Sequence, residues 1–115
     1  MAILRNIEHE KVLALKEQIG WQKGQVVSKT LVQNNGVGIT LFAFATGEGI
    51  SAHDSTGDAL VQVLDGVGKF TVGDKEHILK SGDVLVIPAS IPHAVYAPED
   101  FKMLLTVVFP SDDKQ

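Results

Sequence analysis

The chain contains no cysteine. That excludes a disulfide framework, a thiolate zinc site and a cysteine nucleophile. It has no excess of positive charge either: 10 Lys and Arg stand against 14 Asp and Glu, a net charge of −4. No basic run or block occurs, so the electrostatic footprint of a nucleic-acid-binding protein is missing. No apolar run approaches the length that crosses a membrane, and the N-terminus lacks a charged-then-apolar leader pattern. Nor is there a Ser–His–Asp arrangement or a phosphate-cradling glycine loop. Gly66-Val67-Gly68 lacks a third glycine and opens no helix, so it is not a dinucleotide fingerprint. These absences predict a soluble, cytoplasmic protein that partners neither nucleic acid nor membrane.

What remains is an ordinary globular composition. An apolar fraction of 44% and a charged fraction of 21% over 115 residues fit one domain, residues 1–115, with a single core. No linker marks a second domain, and no internal repeat suggests a solenoid. Apolar and β-branched runs recur between Gly, Asn and Pro: 25–32, 38–45, 59–64, 69–72, 76–79, 84–87, 94–96 and 101–109. Asn34-Asn35-Gly36 and Gly73-Asp74 are turn signals, and Pro110 ends the last run before a polar tail, 111–115. Short strands separated by turns predict an all-β sandwich or barrel.

Residues 1–20 read differently. Asn6 is a candidate cap for a short N-terminal helix in which Val12, Leu15 and Ile19 recur at helical spacing and Gly20 is a stop. A strand or irregular segment remains the alternative, because Leu13 breaks the pattern. His9, among charged neighbours, reads as solvated, and His77 reads as a surface residue.

Two runs, 39–45 and 101–109, are apolar on both alternating faces. A strand with water on one side alternates, so each needs cover on its second face. A partner copy is the simplest cover and predicts a homodimer; the alternative is cover by the N-terminal segment of the same chain.

The most informative stretch runs from Gly82 to His93. Val84 to Ile87 is a short strand, Pro88 ends its pairing, Ser90 and Pro92 stiffen a corner, and His93 opens the next strand. Upstream, Gly47 precedes His53 by five intervening residues, and Asp65-Gly66 closes the run 60–64. This pair of patterns resembles the two sequence motifs of the cupin superfamily, motif one over about 47–66 and motif two over about 82–97. The resemblance implies an all-β jelly-roll barrel of the small, single-domain, conserved-barrel type, with His53 and His93 projecting into a small cavity.

It also implies a metal site, from which this chain departs. The resemblance gives the second motif-one histidine the position of Ser55, the glutamate that of Ala59, and the late asparagine of motif two that of Ala97, while Ser90 stands for the usual glycine. Half of the ligand set is kept. Serine is a poor donor and alanine none, whereas first-row metals in catalytic sites generally take at least three protein ligands. Strand alternation turns Asp54 away from the face of His53, and Gln62 likewise. Asp58, in a glycine-containing loop, is the candidate third ligand. Tyr96, Met103, Phe42 and Phe44 are candidates either for a cavity lining or for plain core.

Two functions stay open on this reading. One is a binding or sensing module for a small polar ligand, with or without a weakly bound divalent metal (Fe, Ni, Zn or Mn). The other is a metal-dependent small-molecule enzyme of dioxygenase or isomerase type using His53, His93 and Asp58.

Overall fold

The apolar runs between the glycine- and proline-marked turns are extended in the computed structural model, which describes residues 2–111. The strands are β1 (Val26–Gln33), β2 (Val37–Phe44), β3 (Gly49–His53), β4 (Asp58–Asp65), β5 (Val67–Val72), β6 (Lys75–Lys80), β7 (Val84–Ile87), β8 (His93–Tyr96) and β9 (Phe101–Val108). The polar tail expected at 111–115 falls, but for Ser111, outside the described residues.

The pairing has one organising feature. β5 pairs antiparallel with β6, β4 with β7, β3 with β8 and β2 with β9. The chain is thus one long hairpin about the Gly73–Asp74 turn, rolled up so that its rungs fall alternately into two sheets. One sheet has the order β1-β2-β9-β4-β7 and the other β3-β8-β5-β6. Nested antiparallel pairs split over two facing sheets are the jelly roll, and the all-β architecture read from the sequence is what the chain adopts.

Between the sheets, alternation delivers one face of each strand. Phe44, Phe101 and Met103 come from one sheet and Phe70 from the other, all at 2% exposure or less. Phe44 and Phe101 stack at 4.7 Å between ring centres, with Phe70 edge-on to Phe101 at 6.0 Å. Ala59, Val61, Val63, Leu79, Ile87, Val95 and Ala97 complete the buried cluster. Of the four candidates for a cavity lining, Phe44 and Met103 are core, Phe42 packs against that core, and Tyr96 is exposed. The interior is filled by rings, as native packing density requires. At the turn into β5, Gly66 has φ +76, and a Cβ there would overlap the Asp100 carbonyl, so both backbone sign and space call for glycine.

The N-terminal segment corrects the expected helix. Only a single 3-10 turn forms, Leu15–Glu17. Asn6 caps nothing: its backbone has φ +62, and its side-chain amide donates to the Thr30 carbonyl. Val12 is almost fully exposed while Ile19 is buried, so the helical spacing was coincidental. The reason lies in tertiary packing. Ile7, Leu15 and Ile19 pack on Leu31, Leu41 and Ala43, the outward side of the five-stranded sheet. Polar contacts fasten this strap. The Lys29 ammonium donates to the Gln18 carbonyl, Lys102 donates to the Lys16 carbonyl and lies 4.4 Å from the Trp21 ring, and the Trp21 indole donates to the Phe101 carbonyl.

The strap therefore covers much of the second apolar face of β2 and β9. It stops short of the β4–β7 edge, where Val84 and Val86 point outward, both more than half exposed, beside Leu60 and Gln62. No helix is long and apolar enough to cross a membrane among the described residues.

Candidate functional site

At the mouth of the sandwich, two histidines meet. His53 ends β3, His93 begins β8, and the two are directly opposite in the β3–β8 register. Their ring centres are 4.4 Å apart with planes tilted by 56°. His93 points inward like Val95, two residues on, and is buried; His53 is exposed. The β3–β8 ladder slips between Ile50 and His53, an irregularity that brings the two rings into register.

The rings are held alike. His53 Nδ1 lies 3.1 Å from the Ser51 carbonyl oxygen, and His93 Nδ1 lies 2.9 Å from that of Ile91. A carbonyl oxygen only accepts, so in both neutral rings the proton sits on Nδ1 and the Nε2 lone pair is left for a ligand. A backbone carbonyl fixing Nδ1–H is the usual outer support of a ligating histidine.

The separation can be compared with a shared cation. A metal–nitrogen bond of about 2.1 Å, extended by about 1.1 Å to the ring centre, puts two imidazoles at a right angle about 4.5 Å apart. The observed 4.4 Å is compatible with two adjacent coordination positions.

The rest of the ligand set is elsewhere or absent. Ser55 Oγ accepts the Gly57 N–H at 3.1 Å, a local turn bond. Ala59 is buried among the core side chains. Asp58 Oδ1 accepts the Ala89 N–H at 2.8 Å. The Ser90 N–H donates to the Ser55 carbonyl at 2.7 Å, with Ser90 itself at φ +67. Loop 54–57 is thereby clasped to the corner 88–91. Gly57 is required here because a Cβ would run into the Val108 carbonyl. Among the described residues, no group of three His, Cys, Asp or Glu side chains is close enough to hold a metal. The two imidazoles fit two positions of a metal, but the residues present do not complete a resident metal centre.

Sequence reasoning singled out the two histidines, and they come together, but not in the small cavity expected for them: His53 is exposed, and the interior behind the pair is filled by core side chains. It missed the clasp, for which Ser55-x-Gly57 and the carboxylate at the head of β4 were the available signals. His77, read as surface, is half-buried opposite Phe70, while Ile78 takes the outward place.

Two hollows lie away from the pair. One of about 240 Å³ is bordered by Thr56, Gly57, Asp58, Ala89 and the end of β9. Another of about 710 Å³ separates residues 2–6 from the far end of β1. Neither is lined by His53 or His93, and size alone does not make the larger one a site.

A nested two-sheet jelly roll with paired histidines at its mouth defines a cupin-type barrel. The chain belongs to the cupin family: the model described as "Cupin domain" matches residues 40–109. Its structure is similar to that of a conserved protein of unknown function from Streptococcus pyogenes, with 43% identity, 96% of this chain and 97% of that chain covered, and a TM-score of 0.94. It is also similar to a cupin superfamily protein from Desulfitobacterium hafniense, with 37% identity, 95% and 100% covered, and a TM-score of 0.90. A salicylate 1,2-dioxygenase from Pseudaminobacter salicylatoxidans shares the fold alone, at 17% identity over 72% of this chain and 26% of that one, with a TM-score of 0.67. No curated protein matches the chain.

Proposed function

We propose that this cupin is a binding or sensing module that holds a small polar ligand between His53 and His93. The observation that carries this reading is the matched support of the two rings, each with Nδ1–H on a backbone carbonyl and Nε2 open. A divalent metal (Fe, Ni, Zn or Mn) held by these two side chains alone is weakly bound, since most of its positions fall to water. The metal-dependent enzyme of dioxygenase or isomerase type ranks second. Its third ligand, Asp58, already holds the corner amide of Ala89. The module acts as a homodimer in the cytoplasm, joined through the outward face of β4 and β7, where Val84 and Val86 are left uncovered.

The test is a ligand screen by thermal shift on the wild type, His53→Ala and His93→Ala, with and without divalent cations. Ligands that stabilise the wild type and neither variant support the reading. Stabilisation that persists in both variants overturns it.

A further inference from the structure

The turn between β1 and β2 carries a reactive pair of residues, independent of the two histidines. The chain has three asparagines, Asn6, Asn34 and Asn35. An asparagine is modified without any enzyme when the backbone nitrogen of the next residue attacks its side-chain carbonyl carbon. A side chain on that next residue obstructs the approach, and glycine has none. Asn6 is followed by β-branched Ile7, and its amide is engaged with the Thr30 carbonyl at 2.8 Å. Asn34 is followed by Asn35, and its Oδ1 accepts the N–H groups of Gly36 and Val37 at 2.8 and 3.0 Å. Asn35 alone precedes a glycine. Both Asn35 and Gly36 are exposed, and the Asn35 side-chain amide has no hydrogen-bond partner among the described residues. A hollow of about 450 Å³, bordered also by Thr56, Phe109 and Pro110, leaves room beside it.

The fold does not require this glycine. Gly36 is not in the left-handed region, and a Cβ there would meet only Asn34 Oδ1, at an ordinary 3.5 Å. What restrains the reaction is the hydrogen bond from the Gly36 N–H to Asn34 Oδ1, which must open before the nitrogen can turn to Asn35. We infer that Asn35 is a site of spontaneous modification, converted to isoaspartate and aspartate through a cyclic imide, and that the Asn34 side chain slows the step. The Gly36 nitrogen bonds to Asn35 Cγ, the Cγ–Nδ2 bond breaks, and the amide leaves with the Gly36 proton as ammonia. Water then opens the imide. Cleavage at Cγ gives aspartate; cleavage at the Asn35 main-chain carbonyl gives isoaspartate, whose main chain runs through the side-chain carbons. That longer path shifts the Gly36 carbonyl away from the Phe109 N–H that donates to it at 3.0 Å, and so loosens the end of β9.

The full chain is held at neutral pH and physiological temperature for weeks. Digestion and mass spectrometry locate the converted residue, and enzymatic methylation of isoaspartyl carboxylates measures the isoaspartate. The wild type is expected to convert at Asn35 while Asn6 and Asn34 stay intact. Gly36→Ala should lose the product at an unchanged melting temperature. Asn34→Ala should convert roughly two- to tenfold faster, the range that one hydrogen bond of this kind covers. Asn34→Asp keeps the acceptor oxygen and should stay near the wild-type rate. In the converted wild type, hydrogen exchange at the Phe109 amide should quicken. An intact Asn35 in the wild type overturns the inference. Conversion of Gly36→Ala at the wild-type rate overturns it too, as do equal rates in the wild type and Asn34→Ala.

Discussion

His53 on β3 and His93 on β8 face each other across one rung of the rolled hairpin, at equal sequence distance from Gly73 in its innermost turn. The meeting is a consequence of nested pairing. When β5 pairs with β6 around that turn, and β4 with β7 outside it, residues equally far before and after the turn fall opposite one another.

The two rings differ in burial, so their removal separates binding from stability. His93→Ala removes a buried ring together with its part-buried hydrogen bond to the Ile91 carbonyl and is expected to cost about 1–2 kcal/mol. His53→Ala, at an exposed position, is expected to stay within about 0.5 kcal/mol. Denaturant titration gives both values, and both variants should lose ligand binding alike.

Asp58 distinguishes a clasp from a ligand. Asp58→Asn keeps an oxygen for the Ala89 N–H but loses the charge, and should leave metal binding by the histidines unchanged. Asp58→Ala removes the acceptor and should cost about 1 kcal/mol, with faster hydrogen exchange at Ala89. A large drop in metal affinity in Asp58→Asn would bring the enzyme reading forward.

Restoring the family's ligands offers a gain-of-function test. Ser55→His with Ala59→Glu adds a donor in the clasped loop and a carboxylate at a position that is 3% exposed. Without metal, the buried carboxylate should lower the melting temperature. With zinc or nickel it should recover in a concentration-dependent way, because metal bound only by the folded state adds its binding energy to stability. Melting curves across a metal series read both effects.

Asp100 gives the pH prediction. Its Oδ1 accepts both the backbone N–H and the hydroxyl of Thr46, each at 2.8 Å, which hold its carboxyl below the usual value. A carboxylate depressed in the folded state adds stability that is fully present above its unfolded pKa and is lost as pH falls through the lower folded one. Acidification should therefore loosen the corner at Thr46. Thr46→Ala should raise the Asp100 midpoint, followed by NMR of the side-chain carboxyl.

The assembly prediction concerns the uncovered edge. Val86→Lys puts a charge on the outward face of β7, where the monomer has room for it. Size-exclusion chromatography with light scattering should find a dimer for the wild type and a shift to monomer for the variant. Leu104→Lys is a poorer probe, since Leu104 packs against the strap's own cluster.

Eight of the nine strands and their turns were legible in the sequence, because alternation, glycine and proline act locally; β3, the strand that carries His53, was not among the runs, and the meeting of His53 with His93 was an expectation of the family resemblance alone. That the chain keeps only two of the four ligands the resemblance implies was equally legible, as Ser55 and Ala59 stand at the other two positions, with further departures at Ser90 and Ala97. Tertiary structure decided the rest. Leu15 and Ile19 carry a spacing that suits a helix, yet their burial depends on the outward face of β1 and β2, which no window of twenty residues contains. The same face explains why the runs 39–45 and 101–109 are apolar on both sides. Whether a strap of the same chain or a second copy covers them is set by where residues far apart in sequence come to rest. Asp58 tells the same story at the site: a loop carboxylate reads as a ligand until the corner amide of Ala89 is brought against it, and that N–H then holds one of its oxygens, Oδ1, in an exposed hydrogen bond between loop and corner.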